Sequence, residues 1–449
     1  MAHKIAEELL PPRRLPKTLA LRWTRPFVRF LEIESASGVL LFVCTVAALA
    51  IANSPWAAAW HDFWHLHFTI GLESWKLDES LLHWTNDALM TIFFFVVGLE
   101  IKREIVAGEL RDPRKAALPV MAALGGMIAP AGVYLLLRGG QPGSSGWGIP
   151  MATDIAFVVG LLALLGPRAP LGLKILLLSL AIADDIGAVL VIAVFYSSNI
   201  SFAALGVAAA GLATAYLFNR IGVRRVPIYV VIGAAVWLAF LKSGVHPTVA
   251  GVLLGLMTPA SAWVGDRTLV QVVRDVLERL RGEDDGQIEP HNKPVLEELA
   301  TAAREAVSPL ERLETALHPW VAFGIMPLFA LANAGVAVET SALSHPVAWA
   351  VAAGLVIGKP LGIVTLSWLA VRVGIARLPA GVDWKSMVGA GFLAGIGFTM
   401  SLFIANLALK DQLLDAAKVG TLAGSAISAV VGFALLRAFL PGQANEAAE

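Results

Sequence analysis

One long, mostly apolar run, from Leu171 to Tyr196, contains two adjacent carboxylates, Asp184 and Asp185. The run reads LGLKILLLSLAIADDIGAVLVIAVFY and is long enough to cross a bilayer as one helix. Each charge at the centre of a membrane helix costs roughly 2.5–3.5 kcal/mol of insertion free energy. The pair is therefore expected to face a watery cavity, where carboxylates bind cations or protons.

The overall composition is that of a membrane protein. Of the 449 residues, 57% are hydrophobic and 15% are charged. A soluble chain of this length needs far more charged surface, so we expect a polytopic membrane protein. The net charge of zero gives no indication of nucleic-acid binding, and the single cysteine, Cys44, excludes a disulfide within the chain.

Apolar runs separated by turn residues predict an all-α fold with about twelve transmembrane helices. The expected limits are 35–53, 83–102, 116–137, 149–166, 171–197, 201–218, 226–242, 246–258, 318–338, 346–371, 386–409 and 416–437. In this interpretation residues 35–437 form the transmembrane domain, and residues 1–34 and 438–449 are tails. The charged insertion 261–316 is predicted to be a long loop with amphipathic helical parts.

Basic residues concentrate on alternate connections between the spans. The basic connections carry Arg13, Arg14, Lys17, Arg22, Arg25, Arg29, Lys102, Arg103, Arg111, Arg114, Lys115, Arg168, Lys174, Arg220, Arg224, Arg225, Arg372, Arg377 and Lys385. The opposite connections carry only Lys76, Arg138, Lys242, Lys410 and Lys418. The positive-inside rule therefore predicts that both termini and the 261–316 loop are cytoplasmic.

A segment on the opposite, external side has the alternation of a β-strand. Within His65–Leu77, apolar Leu66, Phe68 and Ile70 alternate with polar neighbours before Gly71. This pattern favours a small β-hairpin, with an irregular loop as the alternative. Because an isolated hairpin is marginally stable in water, a second copy of the chain is a plausible partner.

Four spans contain charged residues that form the candidate ion site. Thr153 and Asp154 lie in span four, Asp184 and Asp185 in span five, and Lys359 in span ten. Span two carries Asp87 at its outer start and Glu100, Lys102, Arg103 and Glu104 at its inner end. Carboxylate, hydroxyl and carbonyl oxygens suit small hard cations. Two adjacent carboxylates are not both ionised cheaply, so protons and a metal ion compete for them, as an exchanger requires. Lys359 is expected to balance one carboxylate, with a structural ion pair as the alternative.

Glycine and proline predict breaks in two of these helices. Gly148 and Pro150 precede Thr153, and span eleven contains the sequence GAGFLAGIGFTMSLF. Interrupted helices in corresponding halves of a chain are the best sequence indication of a transporter site. We therefore expect spans four and eleven to cross near Asp184 and Asp185, although glycine runs also occur at plain helix contacts.

The remaining candidates lie near the ends of spans. Asp87 stands at the outer start of span two, and His246 lies on the outer side. The cytoplasmic candidates are Glu100, Arg103, Glu104, Glu314 and His318. Ordinary interfacial charge is the simpler interpretation of the cytoplasmic group, and a structural histidine that of His246.

Several longer segments resemble one known family. They are LAIADDIGAV, ATDIAF, NDALM followed by FFFVVGLEIKRE, KSGVHPTVAG, LHPWVAFGIMPLFALANAG, GLVIGKPLG and GIGFTMSLFIANLA. These segments, spread over residues 35–437, resemble the NhaA-type bacterial sodium/proton antiporters. The resemblance implies the inverted repeats and broken helices that are established for that family.

The resemblance implies electrogenic exchange in the bacterial inner membrane, with external protons entering while sodium or lithium leaves, and no cofactor. It implies that Asp184 and Asp185 carry the protons or sodium, that Thr153 and Asp154 support them, and that Lys359 pairs with Asp184 and Asp154. Asp87 is a further polar residue of the pattern. The implied pH-responsive residues are Glu100, Arg103, Glu104, Glu314, His318 and His246. The hairpin would be a dimer contact.

Three other functions are alternatives to exchange. An intramembrane aspartyl protease needs two Asp residues on separate spans, and Asp154 with Asp185 would supply them. The YD and GxGD contexts of such enzymes are absent, and Lys359 has no role in their chemistry. A sodium-coupled symporter needs a polar pocket for an organic substrate, and few candidate groups exist beyond the ionic ones. A passive channel leaves proton-holding carboxylates unexplained.

Overall fold

A computed structural model describes residues 34–72, 75–223, 225–281, 293–337 and 340–440. The predicted N-terminal tail up to residue 33 and the C-terminal tail from residue 441 lie outside this description. Within it the chain is mainly helical, with one small antiparallel sheet.

Twenty α-helices are described, several of them continuous with one another through short turns of other helix types. In chain order they are α1 (Glu34–Ala52), α2 (Ala57–Trp64), α3 (Leu81–Trp84), α4 (Met90–Val106), α5 (Pro113–Arg138), α6 (Ile155–Leu165), α7 (Leu171–Phe195), α8 (Phe202–Arg220), α9 (Val226–Leu241), α10 (Thr248–Met257), α11 (Asp266–Arg281), α12 (Lys293–Glu305), α13 (Pro309–Trp320), α14 (Met326–Asn333), α15 (Thr340–Ser344), α16 (Pro346–Ala353), α17 (Lys359–Arg372), α18 (Trp384–Ala394), α19 (Phe398–Ala408) and α20 (Asp411–Phe439). The π-helical turns are Thr85–Leu89, Val321–Ile325 and Gly354–Gly358. The 3₁₀ segments are Glu109–Arg111, Ser144–Met151 and Gly166–Arg168.

Many of these helices are long and apolar enough to cross a membrane. Among the described residues seven stretches meet that description, or nine if each of two bent helix pairs forms one span. The bent pairs are α1 with α2 and α18 with α19. Helices α9 and α10 are apolar but shorter. The chain is therefore an all-α, multi-pass membrane protein, as the composition predicts.

The predicted hairpin is confirmed. Strands β1 (His67–Leu72) and β2 (Trp75–Ser80) pair antiparallel, with Ile70 opposite Leu77. The strand continues through Gly71, which adopts a φ of 140°, and the pairing extends past the expected end at Leu77. The indole N–H of Trp84 donates to the carbonyl of Phe68 (3.0 Å), which ties the sheet to α3.

Glycines allow the helices around the site to approach closely. A Cβ at Gly125 on α5 would lie 2.0 Å from the carbonyl oxygen of Gly362 on α17, and the reverse holds as well. The same α5 carries Gly132, where a Cβ would meet no atom within 4 Å. Close backbone approach at small residues is the usual way in which membrane helices pack. This crossing places α17, which begins at Lys359, against α5.

Two polar regions flank the bundle. Within the charged insertion the structure places α11 and α12, and α13 already begins at Pro309, so this helix starts inside the predicted loop.

At the start of α18, the Asp383 carboxylate accepts hydrogen bonds from the hydroxyl (2.6 Å) and backbone N–H (2.8 Å) of Ser386. These hydrogen bonds hold the pKa of the Asp383 carboxyl below its usual value.

Candidate functional site

Two interrupted helices meet at the centre of the bundle. Between the 3₁₀ segment Ser144–Met151 and α6 the backbone is extended, and α18 and α19 are bent by 47° at the break between them. The backbone N–H of Asp154 donates to the carbonyl of Ile396 (2.7 Å), so the two breaks are in direct contact. The Thr153 hydroxyl also lies 3.0 Å from the carbonyl of Ala394.

Small residues permit this contact. A Cβ at Gly397 would lie 3.0 Å from the carbonyl oxygen of Ala152, and a Cβ at Gly395 would lie 2.6 Å from that of Leu355. A larger side chain at Gly395 would therefore force the backbones apart. The glycines of the GIGF sequence therefore allow the neighbouring backbones to approach closely at the break.

Asp154 joins the starts of two helices. Its carboxylate accepts from the backbone N–H of Phe157 (3.4 Å), in the first turn of α6. It also accepts from both the backbone N–H (3.1 Å) and the hydroxyl of Thr399, in the first turn of α19. A carboxylate at a helix N-terminus is favourable because the unpaired N–H groups carry partial positive charge. Asp154 therefore satisfies backbone groups that the two breaks leave free.

Asp184 is the carboxylate that the lysine balances. Its Oδ2 lies 2.8 Å from Nζ of Lys359 and 2.7 Å from the hydroxyl of Thr153. Lys359, fully buried, also donates to the carbonyl of Met151. The other oxygen, Oδ1, is buried and has no hydrogen-bond partner among the described residues. The structure brings Lys359 to Asp184 and not to Asp154, unlike the double pairing that the resemblance implies, because Asp154 faces Thr399.

Asp185 stands apart from these hydrogen bonds. Its side chain is buried, with 3% of the residue exposed, and it makes no hydrogen bond with any residue that the structure describes. The charged groups that act on it include Asp184, Glu100 and Asp154. Neighbouring residues on a helix point about 100° apart, which agrees with the separate surroundings of Asp184 and Asp185. Asp185 therefore has both carboxylate oxygens to offer an incoming ion, and Asp184 has its Oδ1.

The charges at this centre do not balance when every group is ionised. Three buried carboxylates lie at this centre, those of Asp154, Asp184 and Asp185, whereas Lys359 supplies one ammonium, which lies beside Asp184. The described residues contain no group of three His, Cys, Asp or Glu side chains placed to hold a metal ion. A cation bound here would thus also need hydroxyl or carbonyl oxygens, as hard cations accept. Either protons or such a cation would offset the excess negative charge.

A second set of charges lies at the C-terminal end of α4. Arg103 forms an ion pair with Glu314, which joins α4 to α13. Glu104 accepts from the hydroxyl of Ser179 (3.0 Å), on the same helix as Asp184, and from the backbone N–H of Glu109 (3.0 Å). Ser179 was not among the sequence candidates, since a lone serine in an apolar run carries no distinctive signal.

The two other cytoplasmic candidates behave differently. Glu100 interacts electrostatically with Glu314 and Arg103, so it belongs with this charged set. His318 is exposed, and its side chain makes no hydrogen bond or ion pair with the described residues. The structure therefore brings together the predicted cytoplasmic residues except His318.

On the other side of the bundle, Asp87 lies between two histidines. Its carboxylate is 2.8 Å from Nε2 of His83 and 3.5 Å from Nε2 of His246. The second nitrogen of His246 lies 2.8 Å from the hydroxyl of Thr248. Sequence reasoning missed His83, although its position four residues before Asp87 on one helix face would have revealed it.

A multi-pass helical bundle with buried, interacting ionisable groups at two helix breaks is typical of an ion transporter. Comparison with known proteins specifies the class. The chain belongs to the Na+/H+ antiporter 1 family, whose model matches residues 28–436.

Named relatives are similar over nearly the whole chain. A Na+/H+ antiporter NhaA of Rhodopirellula baltica is 53% identical, over 94% of this chain and 95% of its own length. A Na+/H+ antiporter NhaA of Rhizobium meliloti is 50% identical, over 94% of this chain and 97% of its own. The antiporter NhaA 2 of Acidiphilium cryptum is also 50% identical, over 94% of both chains. Members of this family are antiporters, which are transporters and not enzymes, so neither the protease nor the symporter alternative is supported.

Proposed function

We propose that this chain exchanges cytoplasmic sodium for external protons and so contributes to sodium and pH homeostasis. The observation that carries the proposal is the unequal state of two adjacent carboxylates. Lys359 balances Asp184 at 2.8 Å, whereas Asp185 is buried with no hydrogen bond to the described residues. The relatives' names as Na+/H+ antiporters agree with this chemistry. The ions are cargo, and no resident cofactor is involved.

Competition for the same oxygens couples the two ions. When Asp185 holds a proton, its oxygens are poor ligands for sodium, and when sodium is bound, the proton is displaced. Thr153 and Asp154 support the site, Thr153 through its contact with Asp184. We include electrogenic exchange in the proposal, since unequal numbers of protons and sodium ions moved in each cycle carry net charge across the membrane.

We further propose twelve spans, with spans four and eleven interrupted and crossing. Each of the twelve intervals expected from the sequence overlaps a described helix or helix pair. The breaks before α6 and between α18 and α19 are the places where the backbone lines the site. Irregular backbone at membrane depth is tolerated where it lines such a cavity. Alternating access then requires the helices around this centre to move as a body against the others.

The orientation follows from the basic residues. With the Lys-rich and Arg-rich connections inside, residues 1–34, 261–316 and 438–449 are cytoplasmic, and residues 35–437 form the membrane domain. The protein then resides in a bacterial inner membrane. Lithium, a smaller hard monovalent cation, suits the same oxygen ligands as sodium, so we include it as a transported ion.

We also propose that the hairpin of β1 and β2 joins two copies of the chain. Leu66, Phe68 and Ile70 are each more than half exposed (56%, 54% and 51%). Both strand edges of this two-stranded sheet are unpaired within the described chain, and such edges favour pairing with another strand. A homodimer would cover them.

The charged sets near the span ends are proposed to adjust activity to pH. The cytoplasmic set comprises Glu100, Arg103, Glu104, Glu314 and His318. The ion pair between Arg103 and Glu314 joins α4 to α13, so loss of either charge would affect the packing of these two helices. On the outer side Asp87 and His246 form a second polar contact.

Proteoliposomes containing the purified protein provide the test. A sodium gradient should drive proton movement, which a pH-sensitive dye inside the vesicles reports, and choline should not replace sodium. Dissipating the membrane potential should change the rate if exchange is electrogenic. No sodium-dependent proton movement at neutral and alkaline pH would contradict the proposed function.

A further inference from the structure

One face of α19 runs from the ion site toward the outer side of the protein. Thr399, which contacts Asp154, shares this face with Phe403 and Asn406, because spacings of four and three residues stack on a helix. At 1.5 Å per residue the distance from Thr399 to Asn406 is about 10 Å. The helix then leads to Lys410, on the side that the positive-inside rule places outside.

The middle of this face is closed by aromatic rings. The Phe403 ring lies 5.4 Å from the ring of Phe94 and 6.2 Å from that of Phe329. The ring of His246 meets it edge-on at 5.3 Å. Phe403, Phe94 and Phe329 are all fully buried. Phe403 therefore connects α19 to α4, α14 and the segment before α10 through buried ring contacts.

The outer end of the face is closed by three asparagines. The amide of Asn406 donates to Oδ1 of Asn333 (3.0 Å). Asn333 donates in turn to Oδ1 of Asn86 (2.8 Å), and Asn86 donates back to Asn333 (3.2 Å). Asn333 is fully buried. The three amides join α19 to α14 and to the π-helical turn before α4.

We propose that these two layers, the Phe403 contacts and the Asn406 contacts, form the external barrier of the exchange site, and that α19 separates from α4 and α14 when the site opens outward. The inference rests on the proposed function. Its chemistry suits a reversible seal, because neutral amides and aromatic edges separate at lower cost than a buried ion pair and are readily hydrated once apart. An asparagine cluster whose central member, Asn333, is buried and which joins three helical segments is suited to such a seal.

Reversible bridging across the seal tests the proposal. In a Cys44→Ser background, the pair Asn333→Cys and Asn406→Cys is joined by a short bifunctional thiol reagent that a reductant removes. Sodium-driven proton flux in proteoliposomes should fall to that of protein-free vesicles on bridging and recover on reduction. Flux that continues at the unbridged rate in fully bridged protein would overturn the barrier, whereas absence of flux in the Cys44→Ser parent would count against the proposed function.

A matched bridge provides the control. A Cβ at Gly335 would lie 3.5 Å from that of Ala52, a distance that a disulfide spans. The pair Ala52→Cys and Gly335→Cys joins α1 to the chain after α14 without touching α19. Protein cross-linked there should retain its flux.

A second measurement needs no transport activity. Asn406→Cys, labelled from outside by a membrane-impermeant thiol reagent, should react about tenfold or more slowly than His65→Cys on the exposed surface, since an open minor state is populated at about 0.1–10%. Adding Phe403→Ala should increase the Asn406→Cys labelling rate. Equal labelling of the two cysteines in the otherwise intact chain would show that this face is open and refute the barrier.

Discussion

Lys359 provides the most informative perturbation of the buried charges. Lys359→Met removes the ammonium and keeps an unbranched side chain, which leaves the Asp184 carboxylate buried with no cation beside it. Removing one partner of a buried ion pair costs about 3–5 kcal/mol of folding free energy. A strong loss of stability is therefore expected.

The contacts of Lys359 give a similar magnitude. Its Nζ makes two hydrogen bonds, to Asp184 Oδ2 at 2.8 Å and to the carbonyl of Met151. Hydrogen bonds to charged groups contribute about 1.5–3 kcal/mol each, so losing both costs about 3–6 kcal/mol. The ion-pair figure and the hydrogen-bond figure therefore agree on a loss of about 3–5 kcal/mol of folding free energy.

Thermal unfolding of the purified protein in detergent provides the assay. Lys359→Met, Asp184→Asn and the double variant form a cycle, and Lys359→Arg serves as the control that keeps the charge. The double variant should be more stable than the sum of the single effects predicts, by about 1–3 kcal/mol, because it leaves no unpaired charge. Additive effects, or a Lys359→Met variant as stable as the parent, would refute the reasoning.

Further predictions concern packing, capping and the break. Gly125→Ala should greatly reduce the yield of folded protein because the new Cβ meets backbone at 2.0 Å, whereas Gly132→Ala on the same helix should not; equal yields on size-exclusion chromatography would contradict this. Asp383→Ala should cost about 1 kcal/mol at neutral pH through loss of the helix cap. The pKa of Asp383 is lower in the folded protein than in the unfolded chain. The stabilisation by its carboxylate is therefore fully present above the unfolded pKa and is lost as the pH falls through the folded pKa. The difference in thermal stability between Asp383→Ala and the parent should thus shrink in acid. Thr399→Val should weaken sodium-dependent exchange by removing a hydroxyl that donates to Asp154, and an unchanged sodium concentration for half-maximal exchange would argue against a supporting role.

Sequence reasoning succeeded where a local pattern has one physical meaning. Asp184 and Asp185 lie in an apolar run, so their burial in a membrane helix followed directly from hydropathy. The alternation around Phe68 likewise predicted the hairpin, because successive side chains of a strand point to opposite faces and so repeat every two residues. The extended backbone at Asp154 agrees with the proline and glycines before it.

The partners of these groups could not be predicted from the sequence in the same way. Lys359 pairs with Asp184 and not with Asp154, and that choice depends on where α17 crosses α5 in three dimensions. Thr399 is 245 residues from Asp154, so only the contact between the two breaks reveals its role. The limits of β1 and β2 also shifted, because strand pairing and not the alternation alone decides where a strand ends.

The central claim is that sodium and protons exclude each other at Asp184 and Asp185. Proton release from purified protein in weakly buffered detergent solution, measured as sodium chloride is added, tests it most directly. The parent protein should release protons on addition of sodium but not of choline, and Asp185→Asn, folded to the same extent, should release none. Sodium binding without proton release, or equal release by Asp185→Asn, would contradict the account.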